Sequence, residues 1–220
     1  MKRPLALAVA AVALAGCGGT TAERGHATLW VTRDRGAQVL LVRRVPAGLT
    51  AMQALDRVAD IHTSYGGRYV QSIDGVDGSL SAQRDWFYFV NGIEADRSAA
   101  EYRLHAGDVE WWDFRSWARQ MRQAVVVGAF PEPFLHGSTV VVWPQAPSFR
   151  RVARGIIRLT HGVAGGKTHG SGRVNEIFIV PGRGFRAELT GRGVVARLGV
   201  NTARQLVRDP SAVRYRYEVP

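Results

Sequence analysis

The sequence has 220 residues, of which 46% are hydrophobic and 21% are charged, and its formal net charge is +11. This length allows one large domain or two small ones, and the hydrophobic fraction excludes a disordered or collagen-like chain. The single cysteine excludes a disulfide framework and a cysteine-rich zinc site.

The first residues predict an export signal with a lipid attachment site. Met1-Lys2-Arg3 precedes an apolar run at residues 4–15, which is too short to span a bilayer. Small residues then lead into the sole cysteine, in Leu14-Ala15-Gly16-Cys17, which resembles the lipobox of bacterial lipoproteins. The resemblance implies a signal peptide at residues 1–16, diacylglycerol on the Cys17 thiol, and anchoring at the extracytoplasmic face of the cell membrane. The alternative is an ordinary signal peptide with an incidental cysteine.

Charge is distributed unevenly along the exported part of the chain. Residues 17–119 hold 12 basic and 13 acidic residues, whereas residues 120–220 hold 15 basic and 5 acidic ones. A basic chain suggests nucleic-acid binding, but an exported protein does not meet nucleic acid, so no nucleic-acid partner is predicted. The asymmetry predicts one domain at residues 27–119 and a second, basic domain at 120–220. The short polar segment before them predicts a tether at residues 17–26.

Residues 27–119 alternate between strand and helix signals. Residues 27–33 and 38–43 are β-rich runs joined by a hairpin turn. Thr50 can cap a helix with apolar residues at helical spacing as far as Ile61. Further strands are predicted at residues 69–73, 86–90 and 109–114. One helix on a mixed sheet of about five strands is an α+β, β-grasp-like arrangement.

Residues 120–220 predict a second mixed α+β domain of similar size. Helices are expected at residues 148–160 and 201–208. The expected strands are at residues 124–127, 139–143, 176–180, 185–189, 194–198 and 213–219.

Four blocks within residues 39–114 follow the order of a known family. The blocks are Gly48-Leu49-Thr50-Ala51-Met52-Gln53-Ala54-Leu55, then residues 67–76, 85–92 and 102–111. Together they resemble the C-terminal β-domain of transcobalamin and intrinsic factor and the bacterial exported domains similar to it. The resemblance implies a β-grasp-like ligand-binding module, which in the vitamin carriers closes over cobalamin opposite a helical barrel. No helical barrel is predicted here. The expected ligand is cobalamin-like, another small molecule or a protein surface.

Aromatic residues in these blocks form the predicted ligand site. Trp86 and Tyr88 fall on one face of a strand and provide a platform that can stack on a flat ring. Tyr69 and Asn91 complete the site, and Tyr65 lies in a glycine-rich loop that can form its rim. The alternative is that both aromatic faces of the strand are core and that the Tyr65 loop is only a helix-to-strand turn.

No catalytic residue, cofactor or metal site is predicted, and the protein is not expected to be an enzyme. Residues 162–168 superficially resemble a nucleotide-binding P-loop, but His161 stands where the pattern requires glycine. His161 and His169 flank this loop and are the two histidines that could share a metal, although surface histidines are the other interpretation.

A second predicted site lies on the basic part of the chain. Arg150, Arg154 and Arg158 recur every four residues and form a stripe on one predicted helix. Facing an anionic membrane, this stripe is expected to orient residues 120–220 towards the lipid headgroups. The alternative is a solvated arginine face.

The sequence therefore predicts an exported, lipid-anchored protein that binds a small molecule and passes it to a membrane transporter. One alternative is a structural or interaction lipoprotein that docks a membrane or envelope protein through its aromatic face. Another is a cell-envelope hydrolase within residues 120–220.

Overall fold

The computed structural model describes residues 24–166 and 172–220, which form an α+β fold and confirm the predicted class. The elements before residue 120 are β1 (His26–Arg33), β2 (Gln38–Pro46), α1 (Ala51–Asp56), β3 (Ile61–Ser64), β4 (Tyr69–Ile73), β5 (Val76–Asp77), β6 (Arg84–Val90), β7 (Ile93–Glu94) and β8 (Val109–Ser116).

The first sheet has the strand order β2-β1-β8-β6-β7, and β3, β4 and β5 form a small separate sheet. The first strand β1 runs parallel to β8 and antiparallel to β2, which gives the β-grasp-like arrangement of a hairpin, a helix and a closing strand. Thr50 and Gln53 form a capping box at the start of α1. The helix α1 ends at Asp56. Residues 61–64 pair with β4, so Ile61 begins the strand β3 and does not belong to the helix. The helical assignment of Ile61 was therefore wrong.

The central strands β1, β8 and β6 of the first sheet are covered on both faces, whereas the edge strand β2 is mostly exposed. On one face, Trp86 and Trp112 pack against the apolar side of α1. On the other face, Phe89 and Trp111 pack against Tyr217 from the C-terminal segment. The ring centroids of Trp111 and Tyr217 lie 5.6 Å apart in an edge-to-face arrangement. The end of the chain thus covers the sheet formed by its beginning.

The remaining elements build a second sheet with helices on one face. They are a 3₁₀ helix at Val127–Ala129, α2 (Glu132–Leu135), β9 (Thr139–Pro144), a 3₁₀ turn at Pro147–Phe149, α3 (Arg150–Thr160), β10 (Val163–Ala164), β11 (Val174–Val180), β12 (Phe185–Thr190), β13 (Gly193–Gly199) and α4 (Val200–Arg208). The strand order is β10-β9-β11-β13-β12, with β12 antiparallel to β13 and the other pairs parallel. Ile156 of α3 and Leu206 of α4 are fully buried in the core that these helices form with the sheet.

Two predicted strands do not form, although the structure describes both segments. Residues 124–127 make a single bridge, from Val125 to Ile93, before the 3₁₀ helix begins at Val127. Residues 213–219 form turns with one bridge, from Val219 to Phe185. Their apolar side chains divide between two cores. Val126 and Tyr217 pack against the first sheet, whereas Val125, Val127 and Val213 lie in the core of the second. Their backbones make scattered hydrogen bonds, such as the one from the Val127 N–H to the Tyr217 carbonyl at 3.2 Å, and form no strand ladder.

A fully buried carboxylate links these parts of the chain. Asp113 of β8 accepts hydrogen bonds from the Thr32 hydroxyl at 2.5 Å and the Tyr217 hydroxyl at 2.8 Å. It also accepts from the backbone N–H groups of Arg35 and Gly36, each at 3.1 Å. Strand β1, the turn that follows it, β8 and the C-terminal segment are therefore held by one side chain.

Candidate functional site

An aromatic hollow of about 290 Å³ opens on the α1 face of the first sheet. It brings together three of the predicted ligand residues, Tyr69, Trp86 and Tyr88. Tyr69 comes from the small sheet, whereas the other two come from β6, so the packing of two sheets creates the cavity. Trp112 and Arg97 also line it. The result is a concave site with aromatic walls and a charged rim.

Tyr88 provides the accessible aromatic surface of the hollow. Its ring stacks on Trp112 with centroids 4.9 Å apart and an interplanar angle of 19°, which fixes its orientation. Its hydroxyl donates to the backbone carbonyl of Arg97 at 2.5 Å. Burial raises the pKa of the Tyr88 hydroxyl above its ordinary value.

Trp86 belongs mainly to the core. Its side chain is 5% exposed and lies 5.1 Å from Phe114 between ring centroids. The indole N–H donates to the carbonyl of Val76 at 2.8 Å. Trp86 thus forms a fixed wall of the hollow and offers little free surface to a ligand.

Tyr69 lines the hollow, whereas the predicted rim residue Tyr65 does not line it and contacts Tyr69 from outside. The hydroxyl of Tyr69 donates to the carboxylate of Asp85. Tyr65 is 82% exposed, and its ring meets that of Tyr69 edge to face at 6.1 Å. Tyr65, Gly66 and Gly67 have φ values of 52°, 68° and 82°, which form the tight loop between β3 and β4. The loop is therefore part of a β-hairpin and not a helix-to-strand turn.

A second, larger cavity adjoins the hollow. This cleft of about 480 Å³ lies between β7 and the turn that joins β12 to β13. The hollow and the cleft share Glu94, Ala95 and Arg97 as lining residues. The polar residues that line the cleft from the C-terminal part of the chain include Arg122, Glu132, His136, Arg173 and Thr190.

Asn91 lines the cleft, not the hollow, and its side chain is already engaged. Its Oδ1 accepts from the backbone N–H of Val109 at 2.8 Å, and its Nδ2 donates to Asp108 at 2.7 Å. Asn91 has a φ of 52°, in the left-handed region that asparagine tolerates better than most residues. It therefore holds the turn between β6 and β7 and shapes the wall of the cleft.

Glu110 is an ionisable group beneath the hollow that the sequence analysis missed. It is fully buried, and its Oε1 accepts from the indole N–H of Trp112 at 2.6 Å. Its Oε2 has no hydrogen-bond partner among the described residues. Burial raises the pKa of this carboxyl to about 8, although the bond from Trp112 opposes the shift. The sequence pattern that indicates this is the alternation along β8, which places the carboxylate of Glu110 on the same face as the buried Trp112 and Phe114.

The other predicted sites fall into two groups. Arg150, Arg154 and Arg158 are exposed on α3. Cys17, Lys167, Thr168 and His169 lie outside the described residues. Residues 162–166 of the glycine-rich loop are described and contain β10. Within residues 24–166 and 172–220, no group of three or more His, Cys, Asp or Glu side chains could hold a metal ion. No helix in that described part has the length and apolar character needed to cross a membrane.

Comparison with known proteins identifies the class of this chain. Residues 1–17 match the prokaryotic membrane lipoprotein lipid attachment site, which confirms the predicted attachment site. The chain is a membrane-anchored lipoprotein. Residues 48–116, from just before α1 to the end of β8, match a family described as a domain of unknown function (DUF4430). No curated protein matches the chain.

Two solved structures are similar to part of the chain. One is a candidate metal-binding protein from Ruminococcus gnavus ATCC 29149, with 19% identity and a TM-score of 0.35, covering 42% of this chain and 98% of that one. The other is haptocorrin in complex with Cbi, with 12% identity and a TM-score of 0.37. That match covers 46% of this chain and 27% of haptocorrin.

Proposed function

We propose that this lipoprotein binds a small molecule in the hollow and the adjoining cleft, at the extracytoplasmic face of the cell membrane. The observation that carries the proposal is the junction at Glu94, Ala95 and Arg97, where an aromatic cavity meets a polar one. Volumes of about 290 and 480 Å³ fit a ligand site, since such pockets occupy roughly 300–1,000 Å³.

The lining defines the chemistry of the ligand. The face of Tyr88 suits a flat, apolar ring. The cleft offers side chains of both charge signs, including Arg97, Arg173 and Glu132, which suit a polar part with donors and acceptors. The ligand is therefore a molecule with a flat ring at one end and a polar group at the other. Cobalamin, suggested by the sequence resemblance, is one candidate, and the lipid anchor would keep the loaded protein close to a membrane transporter.

Native mass spectrometry of a soluble form that begins at residue 18 tests this proposal. The form contains every described element, and we expect a non-covalent adduct that is lost on denaturation. Titration with cobalamin tests that candidate separately. A ligand-free protein that instead captures one envelope protein would favour the interaction lipoprotein over the ligand carrier.

Alanine variants of the two β6 aromatics should behave differently. Trp86→Ala is expected to lower the free energy of unfolding by about 3–5 kcal/mol, because it empties a buried site. Tyr88→Ala should cost less, since Tyr88 is only half-buried, but it should abolish the adduct. Thermal melting and native mass spectra of both variants measure this difference. Leu80→Ala, at an 82% exposed position outside the hollow, is the control and should change neither property. Retention of the adduct by folded Tyr88→Ala would contradict the site.

Cys17→Ser is expected to prevent lipid attachment, because serine has no thiol to form the thioether to diacylglycerol. The attachment-site match ends at this residue. Cells grown with a fatty-acid probe should label the parent protein and leave the variant unlabelled. Probe incorporation into the serine variant at the parent level would show that the acyl chain is elsewhere.

A further inference from the structure

Five arginines line a groove between α3 and α4, away from the hollow and the cleft. The groove has a volume of about 720 Å³. Its arginines are Arg151, Arg154 and Arg158 from α3 and Arg204 and Arg208 from α4. The sequence pattern suggested a stripe of Arg150, Arg154 and Arg158, but Arg150 does not line the groove, and α4 supplies the other side.

Close packing of the two helices concentrates this charge. A Cβ atom at Gly155 would lie 2.4 Å from the side chain of Val207, so the absence of a side chain there lets the helices approach closely. Each helix buries its apolar side in the core, as Ile156 and Leu206 show. The arginines project from the remaining faces, and their guanidinium groups stay exposed.

The charge of the groove is not neutralised within the described part of the protein. None of the five arginines forms an ion pair there, and no acidic residue lines the groove. Arg204 donates to Asn201 at 2.9 Å, and Arg208 donates to the carbonyl of Arg204 at 3.3 Å. Like charges three or four residues apart on a helix destabilise it, so an anion in the groove would relieve repulsion that the fold otherwise bears.

We propose that this groove binds the phosphate groups of anionic phospholipids. Guanidinium groups match phosphate oxygens in bidentate pairs, and guanidinium groups from two helices can surround one headgroup. The lipid attachment site ends at Cys17 and β1 begins at His26. Even a fully extended connection between them spans roughly 30 Å, which keeps the fold beside the membrane surface. The inference uses the lipid anchor of the proposed function and is independent of the ligand hollow.

Vesicle sedimentation with the soluble form tests the groove. We expect it to bind vesicles containing phosphatidylglycerol and not pure phosphatidylcholine, with affinity falling as salt rises. R154Q/R204Q should weaken binding roughly 30-fold, since two basic contacts with a charged membrane are lost. The matched control R150Q/R197Q removes the same charge from exposed positions outside the groove and should weaken binding by less than about threefold.

The outcomes separate the groove from other sources of attraction. Equal losses for the two double variants would overturn the proposal, because only net charge would then matter. Binding of inorganic phosphate in the groove, without binding to vesicles, would also overturn the proposal, because the ligand would then be a free anion and not a lipid. Arg154→Lys keeps the charge but loses the planar guanidinium group that pairs with two phosphate oxygens, so the variant should bind vesicles more weakly than the parent. Tyr88→Ala should bind vesicles normally, which separates failure here from failure of the ligand site.

Discussion

Asp113→Ala is expected to lower the free energy of unfolding by about 3–5 kcal/mol, since each buried donor that loses its acceptor costs ~1–3 kcal/mol. The Thr32 and Tyr217 hydroxyls and two backbone N–H groups all donate to this carboxylate. Alanine removes this acceptor from the buried Thr32 and Tyr217 hydroxyls and from the half-buried backbone N–H groups of Arg35 and Gly36. Chemical denaturation followed by tryptophan fluorescence measures the loss, since Trp111 donates to Thr32 at 2.7 Å in the same network.

Two further variants show whether the network is the cause. Tyr217→Phe removes one donor to a carboxylate and should cost about 1.5–3 kcal/mol. Because Asp113 and Tyr217 share a hydrogen bond, the losses of the single variants should not add in the double variant. Asp77→Ala, at an exposed aspartate in β5, should change stability by less than about 0.5 kcal/mol. A loss below about 1 kcal/mol for Asp113→Ala would show that the chain ends are held together by apolar contacts alone.

Glu110→Gln is expected to stabilise the protein by about 3 kcal/mol at pH 7. The pKa of the folded carboxyl is raised to about 8 by burial, against 4.5 for an unperturbed glutamate. Below pH 4.5 both the folded and the unfolded chain carry the proton, so the carboxyl does not oppose folding. As pH rises from 4.5 to 8, the unfolded chain loses the proton while the folded chain keeps it. Stability therefore falls across this window, and glutamine, which cannot ionise, avoids the loss.

Free energies of unfolding between pH 4 and pH 8 check this prediction. The variant and the parent should agree near pH 4 and diverge steadily above it. Glu188→Gln, at an exposed position in β12, is the matched control and should follow the parent curve. Parallel curves for Glu110→Gln and the parent would show that the carboxyl is solvated or paired in solution.

Local patterns determined most secondary structure and the anchoring of this protein. The β-rich runs at β1, β2 and β6 have alternating or continuous apolar side chains bounded by turn residues, and the structure contains strands there. Thr50 predicts a helix start by itself, because an N-cap is a local signal, and the structure adds a capping box with Gln53 three residues later. The lipid attachment site is likewise a short, contiguous signal that requires no fold.

The tertiary structure decided which of those patterns become strands and where the sites lie. An alternating pattern such as that of residues 213–219 is compatible with a strand at a sheet edge and with a segment that crosses a sheet face. In this protein Tyr215 and Tyr217 cover the first sheet over Trp111, while Val213 and Val219 pack in the core of the second sheet. The predicted ligand residues come from different strands, so only the packing of β4 against β6 could show that Tyr69 and Tyr88 share a hollow while Asn91 faces the cleft. The burial of Glu110 and the alignment of α3 with α4 depend on contacts between residues far apart in sequence. Local periodicity carries no information about such contacts.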